Sequence, residues 1–455
     1  MTQDLYGLET TASRPETLQA INDFIHGFLS YQPKAAGIIA AADADPEGPL
    51  VNAYAALLWM FLEHPIAPEK ARPYLERATA ATGANAREQE VIRAVGHWID
   101  GDVPALVAAC DAITDKWPRD LAMLKLAQYH LFNSGDAAGM LRIALKSLPE
   151  AEDIAYAHGM IAFGYEQCHL LDRAEAAARR AMELRHDEPW AHHALAHVML
   201  TEGRVAEGAR FMESVAETWT DLNSFMRSHN WWHLALFYLS QGRHADVRAA
   251  YDQHIWGLEK DYSQDQVGAV SLLARMEFAG VDVGDRWGDV ADHVAARGAD
   301  TVSPFLTLQY LYALCRTGRP ETAEMLSAIK ARAAETTAHD HAAWAEVALP
   351  AARGIAAHAK GDWATAIREL GMVLPRMAEC GGSHAQRDLF EQIHLDALVR
   401  DGRASAAQQV LEMRRTYDPE GVPLNLMLGA VYEKSGLPDL AAQARARAER
   451  TLAGA

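Results

Sequence analysis

Helical segments separated by short glycine-containing breaks run from one end of the chain to the other, and this pattern constrains the fold most. Segments of about 12–18 residues with apolar side chains at helical spacing end at breaks such as Gly101-Asp102, Gly135-Asp136, Gly361-Asp362 and Gly402-Arg403. A glycine after the last apolar position ends a helix because it adopts the left-handed conformation at little cost. Long runs of alternating β-branched residues, which indicate strands, are absent from the sequence. We therefore predict an all-α fold of roughly two dozen helices in antiparallel pairs.

A repeated pattern is clearest near the C-terminus. Leu428, Gly429, Tyr432, Ala441 and Ala448 have the spacing of the tetratricopeptide repeat (TPR). In that repeat the glycine and the first alanine are small residues that let two helices pack closely. We therefore predict an α-solenoid of TPR-like antiparallel helix pairs, and leave open whether it curls into a closed superhelix.

Weaker versions of the pattern begin at Ala155, Pro189 and Ser228. The first interval is 34 residues, which is the TPR period, whereas the second is 39 residues. We predict one TPR-like domain over residues 1–455. It comprises degenerate repeats in 1–150, the clearest histidine-bearing repeats in 151–260, and further repeats with the C-terminal TPR unit in 261–455.

Composition and charge narrow the possible partners and compartment. The formal net charge of −19 at pH 7 argues against nucleic acid and anionic membranes as partners. No uninterrupted apolar stretch reaches the ~18 residues of a membrane span, and the N-terminal segment lacks a secretory signal pattern. The four cysteines lie far apart, which is typical of a reducing compartment without disulfides. We predict a cytoplasmic monomer or, because solenoid ends expose apolar faces, a homodimer.

Five segments, taken in order, resemble sequences of the tetratricopeptide repeat protein 38 family. They are Trp190–His197, Ser228–Leu236, Tyr251–Ile255, Val283–Trp287 and Gly381–Asp388. The resemblance implies a helical repeat fold and implies no particular reaction. His384 stands where relatives are expected to carry asparagine, so we leave His384 out of the candidate site.

Two pairs of histidines have the spacing of side chains on one helix face. His193 and His197 are four residues apart, as are His229 and His233, and side chains at this spacing have Cβ atoms about 5–6 Å apart. In the TPR register these pairs, and Glu166 in the preceding unit, lie on first helices, which line the groove of TPR folds. We therefore predict that His193, His197 and His229 converge on one concave pocket, with Glu166 and His233 at its edge.

Three interpretations of this group remain open. The histidines are buried packing residues, ligands of a divalent metal ion, or the lining of a metal-free polar pocket. In the metal interpretation the ligands are His193, His197 and His229. Zincin chemistry is not supported, because Ala194 and Asn230 stand where that motif needs a glutamate.

Three further residues complete the candidate ligand site. Trp232 is expected to flank the pocket. Arg387 and Asp388 are expected either to take part in intramolecular ion pairs or to anchor a ligand. Nucleophile-elbow, P-loop and Rossmann motifs are absent from the sequence, so no reaction class is favoured. We predict a pocket for a small polar ligand, bound with or without a divalent metal ion, and leave catalysis open. The alternative is a TPR scaffold that binds a peptide or protein without catalysis.

Overall fold

The computed structural model describes residues 2–454, which form 24 α-helices and one short β-ladder. The predicted all-α class and the predicted helix pairs are confirmed. The ladder joins Thr2–Gln3 to Glu9–Thr10 in antiparallel register. The sequence did not predict it, because two residues per strand are too few to show alternation. Among residues 2–454, no helix combines the length and the apolar character that crossing a membrane requires.

The chain divides into two compact units. Unit 1 comprises the residues up to Ala194 together with Thr218–Met226, and unit 2 comprises Leu195–Glu217 together with the residues from Arg227 onward. The single-domain organisation and the closure of the solenoid stay predictions.

Unit 1 contains ten complete helices, the first part of an eleventh, and the first three residues of the helix Ser224–Ser240. The first eleven are α1 (Pro15–Ser30), α2 (Gly37–Ala44), α3 (Pro49–Met60), α4 (Ala67–Ala80), α5 (Ala86–Ile99), α6 (Val103–Lys116), α7 (Leu121–Asn133), α8 (Ala137–Ala151), α9 (Ala155–Gln167), α10 (Leu171–Leu184) and α11 (Pro189–Thr201). Successive helices pack as pairs, as α3 does with α4 and α9 with α10. A 3₁₀ helix, Pro33–Ala36, follows α1.

The glycine breaks of unit 1 end helices as predicted. Gly101 and Gly135 have positive φ angles of 78° and 74°, a conformation that favours glycine. The next residue in each case, Asp102 or Asp136, is the N-cap of the following helix. Its side chain accepts a hydrogen bond from the backbone N–H three residues later, at 3.1 Å and 2.8 Å respectively. The Gly-Asp pair therefore ends one helix and starts the next.

A buried arginine attaches the N-terminal ladder to the helices of unit 1. Arg87 on α5 donates a hydrogen bond to Asp120 at 2.9 Å and pairs with Asp4 at 3.4 Å. It also donates to the Glu9 carbonyl oxygen at 3.1 Å and to the Thr10 hydroxyl at 3.0 Å. The ladder is thus attached through a buried, ion-paired arginine, which sequence periodicity does not reveal.

Unit 2 contains the end of α11 and the remaining helices. They are α12 (Val205–Val215), α13 (Ser224–Ser240, from Arg227 onward), α14 (His244–Ala250), α15 (Ser263–Phe278), α16 (Arg286–Ala296), α17 (Pro304–Thr317), α18 (Glu321–Arg332), α19 (Leu349–Ala359), α20 (Trp363–Val373), α21 (His384–Arg400), α22 (Ala404–Arg414), α23 (Val422–Lys434) and α24 (Pro438–Gly454). Short π-helical segments, Tyr251–Ile255 and Ala343–Ala348, follow α14 and precede α19.

The C-terminal helix pair of unit 2 matches the repeat predicted from sequence. Leu428, Tyr432 and Ala441 are buried in one apolar cluster between α23 and α24. A Cβ atom at Gly429 would lie 3.4 Å from the Ala441 carbonyl oxygen and 3.1 Å from the Arg445 side chain. The small residues of the pattern therefore lie where the two helices approach most closely.

Candidate functional site

Four histidine side chains of unit 2 form a continuous cluster. They come from three helices: His197 from α11, His229 and His233 from α13, and His384 from the start of α21. Ring centroids are 4.5 Å apart for His197 and His233, 4.8 Å for His229 and His233, and 5.1 Å for His197 and His384. Ring nitrogens of His229 and His233 lie within 4.8 Å of each other, as do those of His197 and His384. These four residues are the histidine cluster.

Local sequence explains why two of the helices present these side chains. Helix α13 carries His229 and His233 one turn apart, as their spacing predicts. Helix α21 begins at His384 because Ser383 and Gln386 form a capping box. The Ser383 hydroxyl accepts a hydrogen bond from the Gln386 N–H at 3.3 Å, and the Gln386 side chain accepts one from the Ser383 N–H at 2.9 Å. The start of α21, and with it His384, is therefore fixed.

The hydroxyl group of a threonine contacts one ring nitrogen of His384. The Thr201 hydroxyl donates to the His197 carbonyl oxygen at 2.8 Å and lies 3.0 Å from His384 Nε2. When the hydroxyl hydrogen is used in the first bond, the oxygen accepts in the second and Nε2 of His384 is the donor. The lone pair of His384 is then on Nδ1, the nitrogen able to bind a metal ion.

Trp232 lies beside the histidine cluster. Its ring stacks on His229 with centroids 5.5 Å apart and an interplanar angle of 7°. On another side, the guanidinium carbon of Arg275 lies 5.3 Å from the Trp232 ring centroid. Burial lowers the pKa of His229 to about 3, and nearby His197 contributes in the same direction. His229 is therefore a neutral imidazole at neutral pH. The lone pair of a neutral imidazole can bind a metal ion or accept a hydrogen bond.

Asp388 takes part in an intramolecular ion-pair network. It pairs with Arg414 and, at 3.7 Å, with Arg275. Burial acts to raise the pKa of Asp388, but Arg414 and Arg275 together lower it to about 2. Arg387 donates a hydrogen bond to the Gly382 carbonyl oxygen. These contacts agree with the ion-pair alternative for Asp388, and a role of Asp388 or Arg387 as a ligand anchor stays a prediction.

Glu166 and His193 belong to unit 1. Glu166 is buried on α9 and accepts a hydrogen bond from the Gln167 amide at 2.5 Å. His193 is buried and stacks on Trp190, with centroids 4.3 Å apart and an interplanar angle of 14°. The Phe163 ring lies 5.0 Å from it. These contacts describe both side chains within unit 1, and their convergence with the histidine cluster stays a prediction.

His384 is not among the site residues predicted from the sequence. It was left out because relatives are expected to carry asparagine there, yet His384 contacts His197 and Thr201 in unit 2. A usable signal was present: Ser383 and Gln386 have capping-box spacing, which predicts that a helix begins at His384. The spacing does not show which helix α21 packs against.

The histidine cluster supplies nitrogen ligands. Neutral imidazole suits zinc, copper, iron and nickel ions. Zinc–nitrogen bonds are about 2.0–2.1 Å long, so nitrogens that share one ion lie about 3–4 Å apart. In two pairs of the cluster, His229 with His233 and His197 with His384, ring nitrogens lie within 4.8 Å of each other. Each pair can therefore supply two nitrogen ligands to an ion.

No family model matches the chain. Solved structures similar to it include the human IFIT1 dimer with m7Gppp-AAAA, at 11% identity and a TM-score of 0.39, covering 97% of this chain and 96% of that chain. The human IFIT1 dimer with PPP-AAAA is 11% identical, with a TM-score of 0.41 and coverage of 95% and 99%. A monomeric IFIT1 mutant with Gppp-AAAA is 12% identical, with a TM-score of 0.40 and coverage of 96% and 99%. No function is inferred from similarity at this level.

Proposed function

We propose that this helical-repeat protein binds a divalent transition-metal ion, with Zn²⁺ as the first candidate, through the histidine cluster. The observation that carries the proposal is the contiguity of four imidazole rings from three helices, with neighbouring centroids 4.5–5.1 Å apart. Removing polar rings from water is unfavourable unless hydrogen bonds or an ion compensate for it. A shared ion explains why several such rings lie together, where packing alone favours apolar side chains.

A metal ion held by the histidine cluster would also provide a binding position for a small polar ligand. Catalytic zinc sites use three protein ligands and leave a fourth position for water or a ligand. If three imidazoles of the cluster bind the ion, the remaining position takes a small polar molecule. Thr201 would not be a ligand of the ion. Its hydroxyl group contacts Nε2 of His384 and so orients the ring, which leaves Nδ1 for the ion. No reaction is assigned.

A metal-free polar pocket is the second candidate function. The neutral state of His229, whose pKa burial lowers to about 3, and the hydrogen bond between Thr201 and His384 favour it. Neutral imidazoles both donate and accept hydrogen bonds, so such a pocket would take an uncharged polar ligand. The two candidates differ in one measurable property, which is affinity for the ion itself.

Metal titration of the full-length protein tests the proposal. After treatment with a chelator and its removal, calorimetry with Zn²⁺ should give a saturable site, and Co²⁺ should give the visible absorption bands of nitrogen coordination. His229→Ala and His384→Ala should each weaken Zn²⁺ binding about 10–100-fold or more. His339→Ala is the control, since His339 is an exposed histidine of unit 2. Failure of the wild-type protein to bind, or equal binding by all variants, would reject the metal site.

Three broader assignments accompany this proposal. The five sequence segments described above support a relation to the tetratricopeptide repeat protein 38 family. The four cysteines are free thiols, which supports a reducing, cytoplasmic location. A homodimer is also proposed, and light scattering at two protein concentrations tests it. A mass equal to one chain at both concentrations would contradict the dimer.

A further inference from the structure

Residues 2–11 of unit 1 form a compact turn in which no apolar side chain is fully buried. The short ladder joins the two ends of this turn. Between them, the Asp4 carboxylate oxygen Oδ1 accepts hydrogen bonds from the Tyr6 and Leu8 N–H groups, both at 3.0 Å. The side chains of the turn that are buried, Asp4 and Thr10, are polar. Because burial of apolar side chains usually holds a segment on a core, this turn stays in place through other contacts.

Three side chains near the beginnings of α5 and α7 donate hydrogen bonds to the main chain of the turn. Arg119 Nε donates to the Tyr6 carbonyl oxygen at 3.1 Å. The side-chain amide of Asn85 and the guanidinium of Arg87 both donate to the Glu9 carbonyl oxygen, at 3.0 Å and 3.1 Å. Every peptide has main-chain carbonyl groups, so these contacts do not depend on the sequence of the turn.

Two further side chains accept hydrogen bonds from the main chain of the turn. The Asn22 side chain on α1 accepts one from the Leu5 N–H at 2.8 Å, and the Glu88 carboxylate on α5 accepts one from the Thr11 N–H at 2.7 Å. The helices therefore contact both N–H and C=O groups of the turn, and such contacts supply affinity in peptide recognition. We call these five helix-side residues the turn-binding site: Asn22, Asn85, Arg87, Glu88 and Arg119.

Arg87 adds a requirement for an acidic side chain in the turn. Its guanidinium pairs with Asp4 at 3.4 Å, and the two side chains are only 3% and 1% exposed. The same guanidinium donates to the Thr10 hydroxyl at 3.0 Å and pairs with Asp120 at 2.9 Å. Removing one partner of a buried ion pair is strongly unfavourable. The turn-binding site therefore selects a turn that carries an aspartate.

We infer that the turn-binding site binds an aspartate-bearing turn of a partner protein, and that residues 2–11 occupy this site as an intramolecular competitor. Release of the competitor breaks hydrogen bonds that water can replace and uncovers no fully buried apolar side chain of the turn. A second copy of this chain is not the favoured partner. Its turn is identical, and the tethered turn has an effective concentration of about millimolar. The inference concerns unit 1 alone and does not depend on the metal site proposed for unit 2.

Fluorescence anisotropy with the full-length protein tests the inference. The probe is a labelled synthetic peptide with the sequence of residues 2–13. Asp4→Asn in the protein keeps an oxygen for the Tyr6 and Leu8 N–H groups but removes the charge opposite Arg87. The tethered turn then competes less, so the variant should bind the peptide at least about tenfold more tightly than the wild type does. A peptide with the same substitution should bind the variant at least about tenfold more weakly than the unchanged peptide.

Glu9→Gln in the protein is the matched control. It also removes one negative charge from the turn, but the side chain of Glu9 is exposed and the contacts to Asn85 and Arg87 use its main-chain carbonyl oxygen. This variant should bind the peptide as the wild type does. Equal affinity of the wild type and Asp4→Asn for the peptide, or equal affinity of Asp4→Asn for the two peptides, would overturn the inference.

Hydrogen exchange of the wild-type protein provides a second test that needs no variant. If the turn leaves its site while unit 1 stays folded, the amides of Leu5, Tyr6 and Thr11 exchange through local opening. We expect them to exchange at least about 100-fold faster than the slowest amides of α5. Exchange at the rate of those α5 amides would mean that the turn leaves only when unit 1 unfolds, and the inference would be wrong.

Discussion

The orientation of one imidazole depends on the hydroxyl group of Thr201. Replacing it in Thr201→Val keeps the shape of the side chain but removes the acceptor 3.0 Å from His384 Nε2. The ring of His384 then loses one constraint on its tautomer and orientation. We expect Zn²⁺ affinity to fall about 10–100-fold, the usual effect of removing a group that orients a metal ligand. Unfolding free energy should change by about 1 kcal/mol, the net value of one hydrogen bond.

Thr317 provides a matched control for this variant. Like Thr201 it is the last residue of its helix, is partly exposed, and donates its hydroxyl hydrogen to the carbonyl oxygen four residues earlier, at 2.8 Å. Thr317→Val should therefore match Thr201→Val in stability and leave Zn²⁺ affinity unchanged. Calorimetric titration and urea unfolding of both variants provide the two measurements. An equal loss of affinity in both would mean that Thr201 does not act through His384.

A second prediction at this scale concerns pH and Glu188 in unit 1. Burial raises the pKa of this carboxyl group to about 7 from its ordinary value of 4.5. The folded state therefore holds the proton more tightly than the unfolded state, and stability falls as pH rises between these values. Glu188→Gln is neutral throughout and retains an oxygen for the Ala191 N–H. We expect the variant to gain about 1–3 kcal/mol on the wild type between about pH 5 and pH 8. Urea unfolding at both pH values checks this, and a constant difference would contradict it.

Sequence spacing predicted only part of the histidine cluster, because spacing is informative only for residues on the same helix. His229 and His233 share a helix face because they are four residues apart, so their proximity can be read directly from the sequence. His384 approaches His197 only because α21 packs where it does, and that packing depends on contacts between segments far apart in the chain. Helical periodicity carries no information about it.

At the scale of the helices, close packing of α12 against α13 requires a residue without a side chain at Gly208. A Cβ atom added to this residue of α12 would collide with the ring of Phe237, which is fully buried on α13. Gly208→Ala should therefore destabilise unit 2 by about 1–3 kcal/mol through overpacking. Gly268→Ala on α15 is the control, because nothing lies within 4 Å of its added Cβ atom. It should stabilise the protein by about 0.5–1 kcal/mol through helix propensity. Thermal unfolding compares the two, and equal effects would contradict the packing argument.

Helix boundaries were predictable where a single residue type, such as a left-handed glycine or a capping aspartate, ends or starts a helix. The Gly101-Asp102 and Gly135-Asp136 breaks combine a left-handed glycine with a capping aspartate, and both mark helix boundaries in unit 1. The N-terminal ladder was not predictable. Arg87 holds the ladder in place through the Asp4 carboxylate, the Glu9 carbonyl oxygen and the Thr10 hydroxyl. These residues lie 77–83 positions before Arg87 in the chain. Sequence patterns over a short window do not contain such contacts.

At the scale of the whole chain, the sequence predicted the number of helices but gave no sign of two units. The boundary falls inside α11, between Ala194 and Leu195, and again inside α13. Both helices continue without a break across it, and no proline- or glycine-rich linker marks the change. Domain boundaries inferred from composition depend on such linkers. The division therefore follows from packing between distant helices, as the approach of His384 to His197 does.

The four thiols give a readout of unfolding for the entire chain. Cys110 and Cys380 are buried, whereas Cys168 and Cys315 are partly exposed. Burial raises the pKa of all four, most strongly for Cys110, so the reactive thiolate is scarce in the folded protein. We expect Ellman's reagent to detect four thiols in guanidinium chloride. In the native protein Cys168 should react first, and the two buried thiols only as fast as their units unfold.

Mapping the labelled cysteines by mass spectrometry over time distinguishes the buried thiols from the partly exposed ones. Because Cys110 lies in unit 1 and Cys380 in unit 2, their relative rates report whether the units open together or independently. A single cooperative transition gives both thiols the same rate, and that rate should match the one obtained from tryptophan fluorescence. Fewer than four thiols in the denatured protein would contradict the absence of disulfides. Native labelling of Cys110 as fast as that of Cys168 would contradict its protection by the core of unit 1.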